Sequence, residues 1–155
     1  MKSKIKKQIK KNKKLAKKMG YQRHYYLEKL GIPIKNCGTN FCNKHDDRYS
    51  KWMKEQKKYG MDARETWDIR GFFFEWLYEH LKMYLSEAKK IVDLDFYKFT
   101  IDEKTFTQKE AIKKMIKLLE KMLVNYNDGF HDEEWIKNGK KVIRIWEEIF
   151  PAMWW

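Results

Sequence analysis

The helical period of its apolar residues is what most limits the folds open to this chain. Between Thr107 and Tyr126, the residues Ala111, Ile112, Met115, Ile116, Leu119, Met122 and Leu123 recur three and four positions apart, with Tyr126 completing the stripe. That spacing sets one side of an α-helix against a core. Thr107 and Glu110 ahead of the stripe make a capping box, and 127–129 (NDG) stops the helix. Ile69, Phe73, Trp76, Leu77, Leu81, Tyr84, Leu85 and Ala88 predict a longer, central helix. Asp62 with Glu65 resembles a capping pair ahead of it, and Thr66 offers a second start. Tyr49, Trp52, Met53 and Tyr59 predict a shorter helix capped by Gly60. Trp135, Ile136, Ile143, Trp146 and Phe150 predict a last helix over about 132–149, broken by Pro151. Residues 21–30 read as a short helix closed by Gly31 and Pro33.

The period is absent from 36–43 (NCGTNFCN), a polar, Gly-bearing loop, and is lost again between 93 and 106. There Tyr97, Phe99 and Ile101 alternate with Lys98, Thr100 and Asp102, the two-residue period of a strand, which predicts either a small hairpin or an ordered loop over the helices. No internal repeat is present. The expected fold is all-α: a compact helical domain of five to six helices with a basic N-terminal helical arm and room for one small β-hairpin.

The charge is concentrated. Of a net +13, residues 1–20 hold ten lysines and no acid, leaving +3 for the rest. This divides the chain into a basic arm, 1–20, and a helical domain, 21–155. Ile5, Ile9 and Leu15 give the arm a thin apolar stripe, so docked against an acidic surface or the domain it forms a helix over about 2–18. Alone it would fray, because like charges three and four residues apart repel. The domain is large enough to fold without a disulfide framework or a metal. Cys37 and Cys42 favour a reducing compartment. The longest run without Lys, Arg, Asp or Glu is eight residues, 36–43, against about 20 for a membrane-spanning helix. Lysines recurring through Lys18 exclude the apolar segment of a signal peptide. The chain reads as intracellular, with no membrane partner.

Several groups of residues carry chemistry. The lysine arm suits a polyanion, because each neutralised phosphate releases counterions; Lys10, Lys13, Lys14, Lys17, Lys18 and Arg23 are the nucleic-acid-binding candidates, beside the plainer reading of a solvated tail. Tyr21, Tyr25 and Tyr26 interleave with Arg23 as base-stacking platforms do, and they equally fit a helix packed on the core. Arg64, Trp67 and Arg70 offer two guanidinium forks and a stacking face to a nucleotide; the alternative is a cap with its own ion pairs and a buried Trp67 as anchor. Cys37, Cys42 and His45 are three potential zinc ligands at a spacing foreign to the common fingers. A fourth ligand, from His24 or His131, is not placed by the sequence; beside zinc and a disulfide or redox pair of the two cysteines, ordinary reduced thiols are expected and no metal or cofactor. His24, His45 and Asp46, with Asp93 or Asp95 further on, echo the residue order of the helical HD phosphohydrolases. His80 and His131 read as surface or partly buried structural residues. No Gly-rich phosphate loop, nucleophile elbow or Ser/Lys motif occurs, which favours binding over turnover.

From Arg48 onward, five pieces carry a resemblance: RYSKW at 48–52, YGMDARETWDIR at 59–70, FFFEWLYEHLKMY at 72–84, AIKKMIKLLEKML at 111–123 and IFPAMWW at 149–155. Together they resemble a family of small proteins of tailed bacteriophages, one that brings no established activity. The chain departs from that pattern at Asp68 and Arg70, where an Asn and an acid are expected, and by a longer insert at 93–106. The resemblance implies a phage accessory protein in the host cytoplasm. The expected function is non-enzymatic binding of an anionic partner, foremost a host-defence nucleotide signal that it sequesters. The alternatives are DNA or RNA binding, inhibition of a nucleic-acid-guided nuclease as an anti-CRISPR protein, and, third, a metal-dependent HD-like phosphohydrolase. A host defence protein as partner and a homo-oligomer are both compatible with this reading.

Overall fold

The computed structural model describes residues 2–19, 25–31, 46–124 and 132–154. Among them are six α-helices and one two-stranded antiparallel sheet, so the fold is all-α with a small hairpin. The chain groups into two compact units, Met1–Leu77 and Tyr78–Trp155.

In the first unit, α1 (Lys2–Met19) packs on α2 (Tyr25–Leu30). Leu30 is followed by Gly31 at φ +77°, and a Cβ there would stand 3.1 Å from Cγ2 of Ile5. Both the left-handed turn and the close approach of α1 therefore call for glycine. Docking supplies what the lysine repulsion within α1 takes away. Helix α3 (Tyr49–Tyr59) ends at Gly60, φ +74°, whose N–H donates to the Gln56 carbonyl. A short 3₁₀ turn, Ala63–Thr66, leads into α4 (Ile69–Ala88), which runs on into the second unit. The start of α4 is fixed by Asp68 rather than by Thr66: the Asp68 carboxylate accepts the Gly71 N–H at 2.9 Å, while the Thr66 hydroxyl donates to the Ala63 carbonyl. Leu27, Trp52, Phe74 and Leu77 form the interior of this unit.

In the second unit, β1 (Lys98–Ile101) pairs with β2 (Lys104–Thr107) in the register Phe99↔Phe106 and Ile101↔Lys104. The two-residue loop, Asp102 and Glu103, is left-handed at both positions, φ +50° and +61°, as a tight hairpin of the type I′ kind requires. Two strands alone are marginal. This pair is held by burial of Ile101 and by packing of β2 on α5 (Gln108–Val124) and of β1 on α6 (Glu133–Ile149). The capping box at Thr107 is present in both directions: its N–H donates to Glu110 at 2.9 Å and its hydroxyl accepts the Glu110 N–H at 3.2 Å. The stripe on α5 from Ala111 to Leu123 is buried as its spacing predicts, with each large aliphatic contributing roughly 1.5–3 kcal/mol. Gln108 is buried too. Its amide donates to the Ala152 carbonyl at 2.7 Å and to the Tyr84 hydroxyl, tying the final 3₁₀ turn, Phe150–Ala152, to the body of the unit.

Helix α6 is rotated relative to its expected phase. Trp135 faces inward as predicted, but its companions are Asn138, Gly139, Val142, Ile145 and Ile149, whereas Ile143 is 42% exposed and Phe150 lies outside. On α4, Ile69 and Trp76 likewise face outward, while the predicted Leu77, Leu81 and Ala88 are buried together with Phe74 and Tyr78. On α6 smaller residues fill the core beside Trp135, whereas on α4 the unpredicted buried residues, Phe74 and Tyr78, are themselves large.

Candidate functional site

Around the predicted Arg64, Trp67 and Arg70 cluster the chain builds a closed polar network. Asp62 caps the 3₁₀ turn by accepting the Arg64 N–H at 3.0 Å, and Glu65 reaches back to the Asp62 N–H at 3.3 Å. Gln56 donates to Asp62 at 2.7 Å, and Glu55 accepts the Ala63 N–H, so α3 and the turn share one set of hydrogen bonds. The Arg64 guanidinium is turned inward. Its Nε and Nη2 bind both Asp62 oxygens, at 2.8 and 2.6 Å, with the side chains 1% and 0% exposed. Burial by itself would raise the Asp62 carboxyl, but hydrogen bonds from the Arg64 and Gln56 side chains and the Arg64 N–H outweigh it and hold the carboxyl below its ordinary range. Arg64 therefore has its fork in use within the protein, because a buried Asp62 demands a partner.

Trp67 is not the core anchor. It is 50% exposed, and Trp52, 1% exposed, fills the interior in its place. The two indoles meet edge to face at 5.6 Å. The Arg48 guanidinium lies 4.9 Å from the Trp52 ring and 5.2 Å from that of Trp67, and Arg64 lies 4.9 Å from Trp52. Arg70 stands exposed in the first turn of α4. The two predicted phosphate-binding arginines thus diverge, one sealed inside and one at the surface.

Of the other predicted residues, Lys10 and Lys14 are exposed on α1 and Lys13, Lys17 and Lys18 lie along the same helix. Arg23, His24, Cys37, Cys42, His45 and His131 lie outside the described residues. Asp46 is bound by the Arg48 side chain through both oxygens, at 3.0 and 2.9 Å; with the Arg48 N–H, this lowers its carboxyl to about 2. Asp93 accepts the Asp95 N–H, and Asp95 accepts from Lys109 and Thr107 at 2.7 and 3.0 Å. His80 is exposed on α4. Among the described residues, no group of three or more His, Cys, Asp or Glu side chains is placed to hold a metal ion.

A further arrangement of exposed cations was not anticipated. On α6, Lys137, Lys140, Lys141 and Arg144 repeat at the spacing i, i+3, i+4, i+7, two positions out of step with the buried residues 135, 138, 139 and 142. At 100° per residue, two positions place them on the opposite side of the helix. The hairpin loop at Asp102 and the first turn of α6 at Glu133 flank an open, shallow cleft of about 480 Å³, with Ile136 in its lining. Asp102 Oδ1 lies 3.0 Å from Arg144 Nη2, an ion pair. No carboxylate among the described residues comes within ion-pairing distance of Lys137, Lys140 or Lys141. A volume of this size accommodates a small organic ligand, and the lining sets four cations against two acids.

Comparison with protein-family models, with curated proteins and with solved structures finds no match to this chain. The four cations on α6 were visible in the sequence as a periodic basic face; what flanks it to make a cleft, the Asp102 loop, is a tertiary feature.

Proposed function

We propose that the protein is a non-enzymatic binder of a phosphorylated anion of nucleotide size, with the α6 cleft as its site. The observation that carries this reading is the convergence of Lys137, Lys140, Lys141 and Arg144 on one cleft, three of them without a carboxylate partner among the described residues. Ammonium groups and a guanidinium are what phosphate oxygens bind best, while Ile136 and the lysine methylene stems offer apolar contact to the remainder of a ligand. In the phage setting that the sequence resemblance suggests, such a protein would act by sequestering a nucleotide signal of host defence. Calorimetric titration with a panel of nucleotides at low salt tests it: affinity in the wild type that falls in Lys140→Ala/Lys141→Ala, with an unchanged circular dichroism spectrum, supports the reading. Undiminished affinity in that variant would move the site elsewhere.

A second reading, nucleic-acid binding, is favoured by α1, where Lys4, Lys6, Lys7, Lys10, Lys11 and Lys14 are all exposed on one continuous helix. It predicts binding whose strength falls steeply with salt and whose salt dependence flattens when residues 1–18 are deleted. Equal binding to an oligonucleotide by the full and shortened chains would sink it.

A further inference from the structure

Among the described residues, Arg144 is the one cation of the cleft paired with a carboxylate. Its partner Asp102 is not at the end of a mobile segment: the register Ile101↔Lys104 fixes a two-residue loop, Ile101 is buried beneath it, and φ of +50° and +61° sets the loop's course. The backbone thus presents the Asp102 carboxylate at the cleft lining, in contact with Arg144. The contact is a single one, and its two side chains are 64% and 56% exposed. An ion pair so open to water is weak and readily exchanged. A guanidinium has five N–H donors, so an incoming anion finds several still directed elsewhere.

We infer that Asp102 is a resident anion that holds Arg144 in reserve and makes the cleft select phosphate groups of higher charge over phosphodiesters. This rests on the phosphate-binding reading of the cleft. A phosphomonoester carries roughly −1.5 to −2 at neutral pH and three acceptor oxygens, so taking Arg144 from a carboxylate of one negative charge gains both charge and hydrogen bonds. A phosphodiester carries a single charge and exchanges like for like. The occupant is accordingly a molecule with a terminal phosphate or a pyrophosphate chain, rather than the interior of a nucleic-acid backbone.

The test uses the full chain, titrated at low salt with inorganic pyrophosphate and with dimethyl phosphate. Wild-type protein binds pyrophosphate more tightly than dimethyl phosphate. Asp102→Asn keeps a residue suited to the left-handed position and tightens pyrophosphate binding about two- to fivefold, the worth of an exposed ion pair removed from competition, while the gap between the two probes narrows. Glu133→Gln, which removes the other acid of the cleft, has a smaller effect, and Asp102→Asn gains nothing on an Arg144→Gln background. Equal tightening by Glu133→Gln, or a gain that persists without Arg144, would show that Asp102 contributes only diffuse charge. In that case a continued loss of affinity in Lys140→Ala/Lys141→Ala would leave the cleft standing as the site while overturning the role given to Asp102. Absence of pyrophosphate binding in both wild type and Asp102→Asn contradicts the cleft reading and this inference together.

Discussion

Arg64 and Arg144 both stand against an aspartate, yet the two pairs do opposite things. In the first unit Asp62 and Arg64 are buried, doubly hydrogen-bonded and joined by Gln56, so the charges complete each other and are closed to a ligand. In the second, Asp102 and Arg144 share one exposed contact beside three lysines that have no carboxylate partner among the described residues. Desolvation decides the difference: a buried guanidinium must keep its carboxylate, whereas an exposed one can change partners at little cost. An arginine-rich stretch is therefore a ligand site only where its charges remain in contact with water.

The largest effect expected from this contrast is in the buried pair. Arg64→Ala leaves Asp62 charged and enclosed, and should destabilise the protein by about 3–5 kcal/mol, read as a lower midpoint in urea denaturation. Loss of less than about 1 kcal/mol would mean that the pair is hydrated after all. The acid side gives a second readout of the same network. Because the Asp62 carboxyl is depressed in the folded state, its stabilisation is complete above about 3.9, the ordinary value for Asp, and is lost as pH falls through the lower folded value. Between pH 5 and pH 2.5 the wild type should lose stability more steeply than Asp62→Asn, and parallel slopes would assign the acid sensitivity to other carboxylates.

The open cluster should respond the other way round. Lys140→Ala/Lys141→Ala should weaken the binding of a phosphorylated ligand by roughly tenfold, about 1.4 kcal/mol, with denaturation unchanged. A fall in stability with no change in affinity would make these lysines structural. Smaller still is the effect of the hairpin loop. Glu103 adopts a left-handed conformation that non-glycine residues avoid, so Glu103→Gly should stabilise the second unit by up to about 1 kcal/mol. A destabilised variant would show that the Glu103 side chain itself contributes to the loop.

The sequence allowed α5 to be read almost residue by residue, because its apolar side chains fall on one face and Thr107 and Glu110 mark its start in both directions. The Asp62 and Glu65 capping pair was legible for the same reason: it is a local interaction at fixed spacing. The phase of α6 was not, since Ile136, Ile143 and Phe150 recur every seven residues and compete with Val142, Ile145 and Ile149, and only packing against α5 and β1 decides between them. Once that phase is known, the basic face follows from Lys137, Lys140, Lys141 and Arg144. Arg64 and Trp67 show the same limit at the scale of one side chain. Their types suggested a ligand or a core anchor, but direction is tertiary: Arg64 turned in to Asp62, and Trp52 took the interior position.

The central claim is that the accessible anion site lies on α6 and not in the 62–70 segment. A ¹H–¹⁵N NMR titration of the full chain with inorganic pyrophosphate tests it most directly, because every backbone amide reports separately. The account predicts saturable shifts centred on Asp102, Lys137, Lys140, Lys141 and Arg144, with Arg64 and Trp67 unmoved. Shifts centred on Arg64 to Arg70 with α6 unmoved would contradict it.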